Sequence, residues 1–167
     1  CEGNVQEVMD LSPVAHLAAL SGKVPFINFF DGFRTSHEIQ KIAVWDYEDL
    51  KDMCDMDAVK EFRAHALNPE HPHMRGSHEN GDIFFQHREA CNKYYAALPA
   101  VVEKYMDKIN VKLGTNYGLF NYYGAEDADR VIVAMGSICD VAEEVIDYLN
   151  AHGEKVGLVK VRLFRPF

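Results

Sequence analysis

Cysteine is scarce in this chain, and what there is lies scattered. The four thiols, Cys1, Cys54, Cys91 and Cys139, form no C-x-x-C pair, which excludes a zinc site or a cysteine-ligated cluster read from local spacing. They read as reduced thiols of a cytoplasmic chain. Basic charge is also short: 17 Lys and Arg stand against 26 Asp and Glu, a formal charge of −9, so there is no electrostatic footprint for nucleic acid. Long apolar runs are missing. The nearest approach to a membrane segment, residues 11–22, falls below the roughly 18 residues of a span and is broken by Pro13 and His16. G-x-S-x-G, Walker and nucleophilic-cysteine signatures are absent, as are an initiator Met and a signal peptide, so residue 1 reads as a cut edge of something longer.

What is present is ordinary globular material: 167 residues, 48% hydrophobic and 26% charged, enough for about one domain. Ser12 and Pro13 suit the N-cap and first position of a short helix closed by Gly22. VPFINFF, residues 24–30, has the length and β-formers of a buried strand. Asp31 and Gly32 turn the chain, and Thr35 with Glu38 matches a capping box. Two short helices are expected between residues 46 and 67, the second capped by Asp57. Residues 68–92 show no period and read as a long loop or linker. A helix over 99–113 follows, with its apolar stripe on one face and Gly114 ending it.

The last fifty residues predict a βαβ unit. VIVAM makes a parallel strand, Gly136 and Ser137 turn and cap, residues 138–151 form an amphipathic helix, and VGLVKVRLF, residues 156–164, returns as the second strand. Such a unit alone leaves strand edges uncovered.

Several groupings have the residue types for chemistry. In residues 31–38 Arg34 can grip a carboxylate and His37, paired with an acid such as Glu38, can move a proton; the same residues also serve a plain turn and capping box. His71, His73, His78 and Glu79 are metal-ligand types, yet no His pair has helical spacing and Pro72 points to extended chain. Gly136 and Ser137 sit where a helix start can cradle a phosphate, but Asp140, Glu143 and Glu144 follow and repel anions. Phe26, Phe29, Phe30, Phe33, Tyr94, Tyr95 and Tyr105 read as core and interface packing.

Taken together, VPFINFFDGFRTSHEIQKI, AVKEFRAHALNPEHPHMRG, DIFFQHREACNKYY and VIVAMGSICDVAEEVIDYLNAHGEKVGLVKVRLFRPF resemble the pyruvate:ferredoxin (flavodoxin) oxidoreductases, in unbroken order across the chain. The resemblance implies an α/β chain: part of a thiamine-enzyme-like domain followed by an incomplete transketolase-C-terminal-like βαβ unit with parallel strands. It divides the chain into residues 1–67 (end of the first region), 68–115 (linker loop and helix) and 116–167 (start of the second domain).

It implies a parent enzyme that oxidatively decarboxylates pyruvate with coenzyme A to acetyl-CoA and CO₂ and passes electrons to ferredoxin or flavodoxin. That parent uses thiamine diphosphate, Mg²⁺ and [4Fe–4S] clusters, and works as a cytoplasmic homodimer. This segment is expected to bind none of those cofactors and to be inactive alone. Its partners would be the rest of the parent polypeptide and the dimer mate, with no membrane or nucleic acid. The family's established catalytic motifs do not fall on this stretch, so Arg34, His37 and Glu38, with Arg165 for cofactor contact, are candidates only. Two other readings remain: a stand-alone docking module of the same fold, and a metal enzyme built on His71, His73 and His78.

Overall fold

A computed structural model describes residues 1–166 except 75 and 77. Phe167, the end of the RPF stretch, lies outside the described residues.

The first helix, α1 (Val5–Gly22), begins well before the expected Ser12 start. Asn4 is the cap, its side chain accepting from the Glu7 N–H at 2.9 Å. Pro13 therefore sits inside the helix, where it cannot donate to the Met9 carbonyl. The Trp45 indole N–H donates to that oxygen instead, at 3.2 Å, which satisfies the group the proline leaves free. After Lys23 ends the helix in a left-handed conformation, residues 24–29 form a connecting segment with no regular secondary structure. The buried strand expected there is corrected: its single pairing is an isolated bridge between Phe30 and Glu2, and Ile27, Phe29 and Phe30 are exposed.

Next come α2 (Arg34–His37), α3 (Tyr47–Met53) and α4 (Met56–Ala64). The two short helices between residues 46 and 67 form as expected, but Asp55, not Asp57, caps α4 by accepting from the Ala58 N–H at 3.0 Å. The 68–92 stretch is not all loop, because α5 (Phe84–Ala90) lies in it and α6 (Asn92–Leu113) begins inside it. Gly114 closes α6 in the left-handed region as expected.

Helices α1 and α6 pack on each other and form the larger core. Leu11, Val14, Leu17 and Ala18 of α1 face Val102, Tyr105, Met106 and Ile109 of α6. The approach is close: a Cβ on Gly22 would come within 2.5 Å of a Leu98 methyl. The aromatic expectation holds for Tyr105, which is buried, and in part for Phe26, which packs partly buried against this core. Phe29, Phe30, Phe33, Tyr94 and Tyr95 stay largely exposed instead.

The second core is a three-stranded sheet in the order β1 (Phe120–Gly124), β3 (Val156–Val161), β2 (Arg130–Ala134), with α7 (Ile138–Ala151) on one face. β2 and β3 pair in parallel as expected, Arg130 opposite Val156 through Ala134 opposite Lys160. β1 is an addition the sequence reading did not contain; it pairs antiparallel with β3 and makes β3 central. Cys139, Ala142 and Ile146 of α7 cover Val156 and Leu158. The apolar stripe is wider than the face it covers, so Ile138, Val141 and Val145 are exposed while Glu143, paired with Lys160, is half-buried.

Candidate functional site

Residues 31–38 and the turn at Gly136 and Ser137, separate in the sequence, meet in space. Asp31 ends the connecting segment, and its Oδ2 accepts a hydrogen bond from the Ser137 backbone N–H at the start of α7. Hydrogen bonding from the Ser137 side chain first, then that backbone bond and the nearby Arg34 charge, holds the Asp31 carboxyl below the usual aspartate range. Gly136 makes the approach possible. It adopts φ +81°, and a Cβ on it would lie 2.9 Å from one Asp31 carboxylate oxygen and 3.1 Å from the other. The expected Ser137 side-chain cap does not form, since Ser137 is already helical at φ −65°, ψ −17°. The position where a phosphate would sit is thus taken by the protein's own carboxylate.

The capping box at Thr35 is overturned. The cap position of α2 is Phe33, at φ 58°, with no side-chain bond. Thr35 is buried within the turn and its Oγ1 donates to the Gly3 carbonyl at 3.4 Å. Backbone bonds close the turn instead, from Arg34 N–H to Gly32 O at 2.7 Å and Ser36 N–H to Asp31 O at 3.2 Å.

Arg34, His37 and Glu38 all project from this turn to the surface. The Arg34 guanidinium has no hydrogen-bonded partner among the described residues, contrary to the expected carboxylate or carbonyl grip; being exposed, it is solvated and needs none. His37 pairs with Ser36, Nδ1 to Oγ at 2.7 Å, and stacks on Phe33 with ring centres 5.3 Å apart, rather than pairing with a carboxylate.

Behind the turn lies the junction of the two cores, which the sequence reading missed. The Arg162 Nη2 donates to Glu7 Oε1 at 2.7 Å in a pair with side chains 7% and 13% exposed. Arg162 also donates to Asn121 and lies over the Tyr117 ring, 5.1 Å from its centre. Tyr117 donates to the buried Asp10 at 2.8 Å, and burial followed by that bond pushes the phenol far above its ordinary value. The sequence signal was faint: Arg162 alternates with apolar residues in β3's continuation, and Glu7 is an ordinary first-turn acid.

A cavity of about 790 Å³ opens between α1, α6 and the connecting segment. Leu11 and Val14 line it from α1, Leu98 and Met106 from α6, and Phe26 from the connecting segment; Arg165 is also among its lining residues, its guanidinium over the Phe164 ring. Glu2 lies in its wall, 2% exposed, with burial pushing its carboxyl up to about 7.

The histidines do not converge. His78 meets Asn80, Glu79 pairs with His87 at 2.6 Å, and among the described residues no group of three His, Cys, Asp or Glu side chains could hold a metal ion. Among the same residues no helix is long and apolar enough to cross a membrane.

Comparison with known proteins joins these two cores to two named segments. Residues 1–107 match the model of pyruvate flavodoxin/ferredoxin oxidoreductase, thiamine diphosphate-binding, and residues 128–167 match pyruvate:ferredoxin oxidoreductase core domain II. The chain is 63% identical over 166 residues to a pyruvate-flavodoxin oxidoreductase of Enterobacter agglomerans, covering 99% of this chain and 14% of that protein. It is 62% identical over 166 residues to the one of Klebsiella pneumoniae, with the same coverage. It is 60% identical over 164 residues to a pyruvate:ferredoxin oxidoreductase of Moorella thermoacetica, covering 98% of this chain and 14% of that protein. The chain therefore spans about 14% of the length of the curated relatives it matches.

Proposed function

This chain belongs to the pyruvate flavodoxin/ferredoxin oxidoreductase family, and from that premise we propose that it works as one segment of an enzyme that oxidatively decarboxylates pyruvate. In that enzyme coenzyme A takes the acetyl group and ferredoxin or flavodoxin takes the electrons. The observation that carries this reading is identity of 60% and above over nearly the whole chain to proteins of that name.

The part this chain plays follows from its own residues. The matched family is thiamine diphosphate-binding, yet the one helix start read as a diphosphate cradle does not fit it. The helix start that could receive it, at α7, already carries Asp31, and among the described residues no three ligand side chains gather for Mg²⁺. The four cysteines stand as free thiols at separate places, which does not fit a [4Fe–4S] cluster within this stretch. We therefore assign thiamine diphosphate, Mg²⁺ and the clusters to other parts of the enzyme, with no catalytic step routed through this chain.

What it contributes is a rigid junction between two domains. We place the boundary near residue 116, since α6 packs on α1 while β1 opens the sheet. Arg34, His37 and Glu38, exposed together on one turn, are the residues offered to neighbouring parts of the enzyme or its dimer mate, and Arg165 is the residue offered at the cavity. Free thiols support a reducing, cytoplasmic setting.

A segment exchange tests the reading. The corresponding stretch of the Enterobacter agglomerans relative is replaced by this chain, and pyruvate- and coenzyme A-dependent dye reduction is followed anaerobically. The hybrid should retain activity, and the 167 residues alone should have none. A folded, cofactor-loaded hybrid without turnover would refute the assignment.

A further inference from the structure

Helix α7 lacks a cap of its own. Its first-turn serine has the right chemistry but helical backbone angles, and the Ser137 hydroxyl does not fold back onto the helix. One of the N–H groups left free at the helix start, that of Ser137, is instead taken by Asp31, 106 residues earlier in the chain. Asp31 lies in the 1–107 match and Ser137 in the 128–167 match, so the bond crosses from one family segment to the other.

The surroundings are shaped for this crossing. Gly136 leaves room that any Cβ would take from the carboxylate, and its own carbonyl lies 3.1 Å from where a Cβ on Gly3 would stand, so the start of α1 presses on the same turn. Asn4 Nδ2 donates to Asp140 Oδ2 at 3.3 Å, a second tie between α1's cap and α7's first turn. Thr35, buried, ties the Asp31 loop to Gly3.

We propose that Asp31 is a carboxylate latch set by the opposite segment on the N-terminus of α7, fixing the two cores against each other through the space left by Gly136. A helix N-terminus favours an anion, and a cap contributes enough to change the local opening equilibrium several-fold. Because the anion here belongs to the other core, losing it loosens the first turn of α7 and the 31–36 loop together, while the α1–α6 core stays closed.

Hydrogen exchange on the 167-residue chain, read by amide, tests this. In the native chain the Ser137 amide should be protected. Asp31→Ala should speed its exchange about fivefold or more, with α6 amides unchanged, and sodium formate should restore protection where sodium chloride at equal ionic strength does not. Asp31→Asn, whose amide oxygen still accepts, should fall between the two, and Gly136→Ala should match Asp31→Ala. An unprotected Ser137 amide in the native chain would overturn the latch even if Asp31→Ala failed to fold. So would unchanged exchange in Asp31→Ala, or a loss spread equally over α6 that formate leaves in place.

Discussion

Glu7 and Arg162 illustrate how one pair of residues can hold two cores at a fixed distance. Both are buried, and a buried charge keeps its place only when its partner is present. Glu7 has a second donor, the Gly3 N–H at 2.9 Å, and Arg162 has Asn121 and the Tyr117 face, but neither substitute carries an opposite charge. The Arg162 Nε is left without a partner among the described residues, so the site is already short of one hydrogen bond. Glu7→Leu or Arg162→Met alone should therefore destabilise the chain by about 3 kcal/mol or more, whereas the double variant should lose clearly less than the sum. Urea unfolding of the four proteins measures the coupling. Additive losses would mean that the pair does not act as a unit.

At the scale of elements, the sequence was legible where pattern and environment agree. α7 has the expected bounds because its apolar spacing meets a sheet, and the parallel β2–β3 pair follows from two apolar runs joined by that helix. The stripe on α6 was legible for the same reason, since Leu98, Val102, Tyr105, Met106 and Ile109 fall on one face. The expected strand at residues 24–30 fails because strand formation depends on a partner, which composition does not supply; its residues have the propensity but only Phe30 finds a bridge. The start of α1 was misplaced because Pro13 was read by its local preference, while Trp45, 32 positions on, supplies the compensating donor. The Asp31 latch and the Glu7–Arg162 pair were illegible for a related reason: each joins residues more than a hundred positions apart.

Helix α7 also yields a test of which part of its stripe bears load. Ile146 is fully buried between Val156 and Leu158, whereas Val145, its neighbour in sequence, is 49% exposed. Ile146→Ala should cost about 2–5 kcal/mol through lost burial and the void left behind. Val145→Ala should cost about 1 kcal/mol or less. Thermal unfolding of both variants distinguishes them, and equal losses would mean that the whole stripe is covered in solution.

Across the whole molecule the two cores are built but not enclosed. β2 is an edge strand whose Val131, Ile132 and Val133 are all substantially exposed, and α7 leaves Ile138, Val141 and Val145 exposed as well. On the opposite core Ile27 and Phe33 are almost fully in solvent. An unpaired apolar edge strand is a template for a second chain. In the proposed enzyme neighbouring segments cover these surfaces. Alone in solution the 167 residues should instead associate as concentration rises, with the β2 edge as one contact. Val133, at 68% exposure the most accessible of the three, can be changed to Lys with little effect on packing within the sheet. Val133→Lys should shift sedimentation toward the monomer while leaving the unfolding midpoint nearly unchanged, since a charge on an edge opposes strand pairing without entering the core. A native chain that stays monomeric at its highest soluble concentration, or a Val133→Lys variant that associates as the native chain does, would show that the edge is already blunted by its own twist or loops.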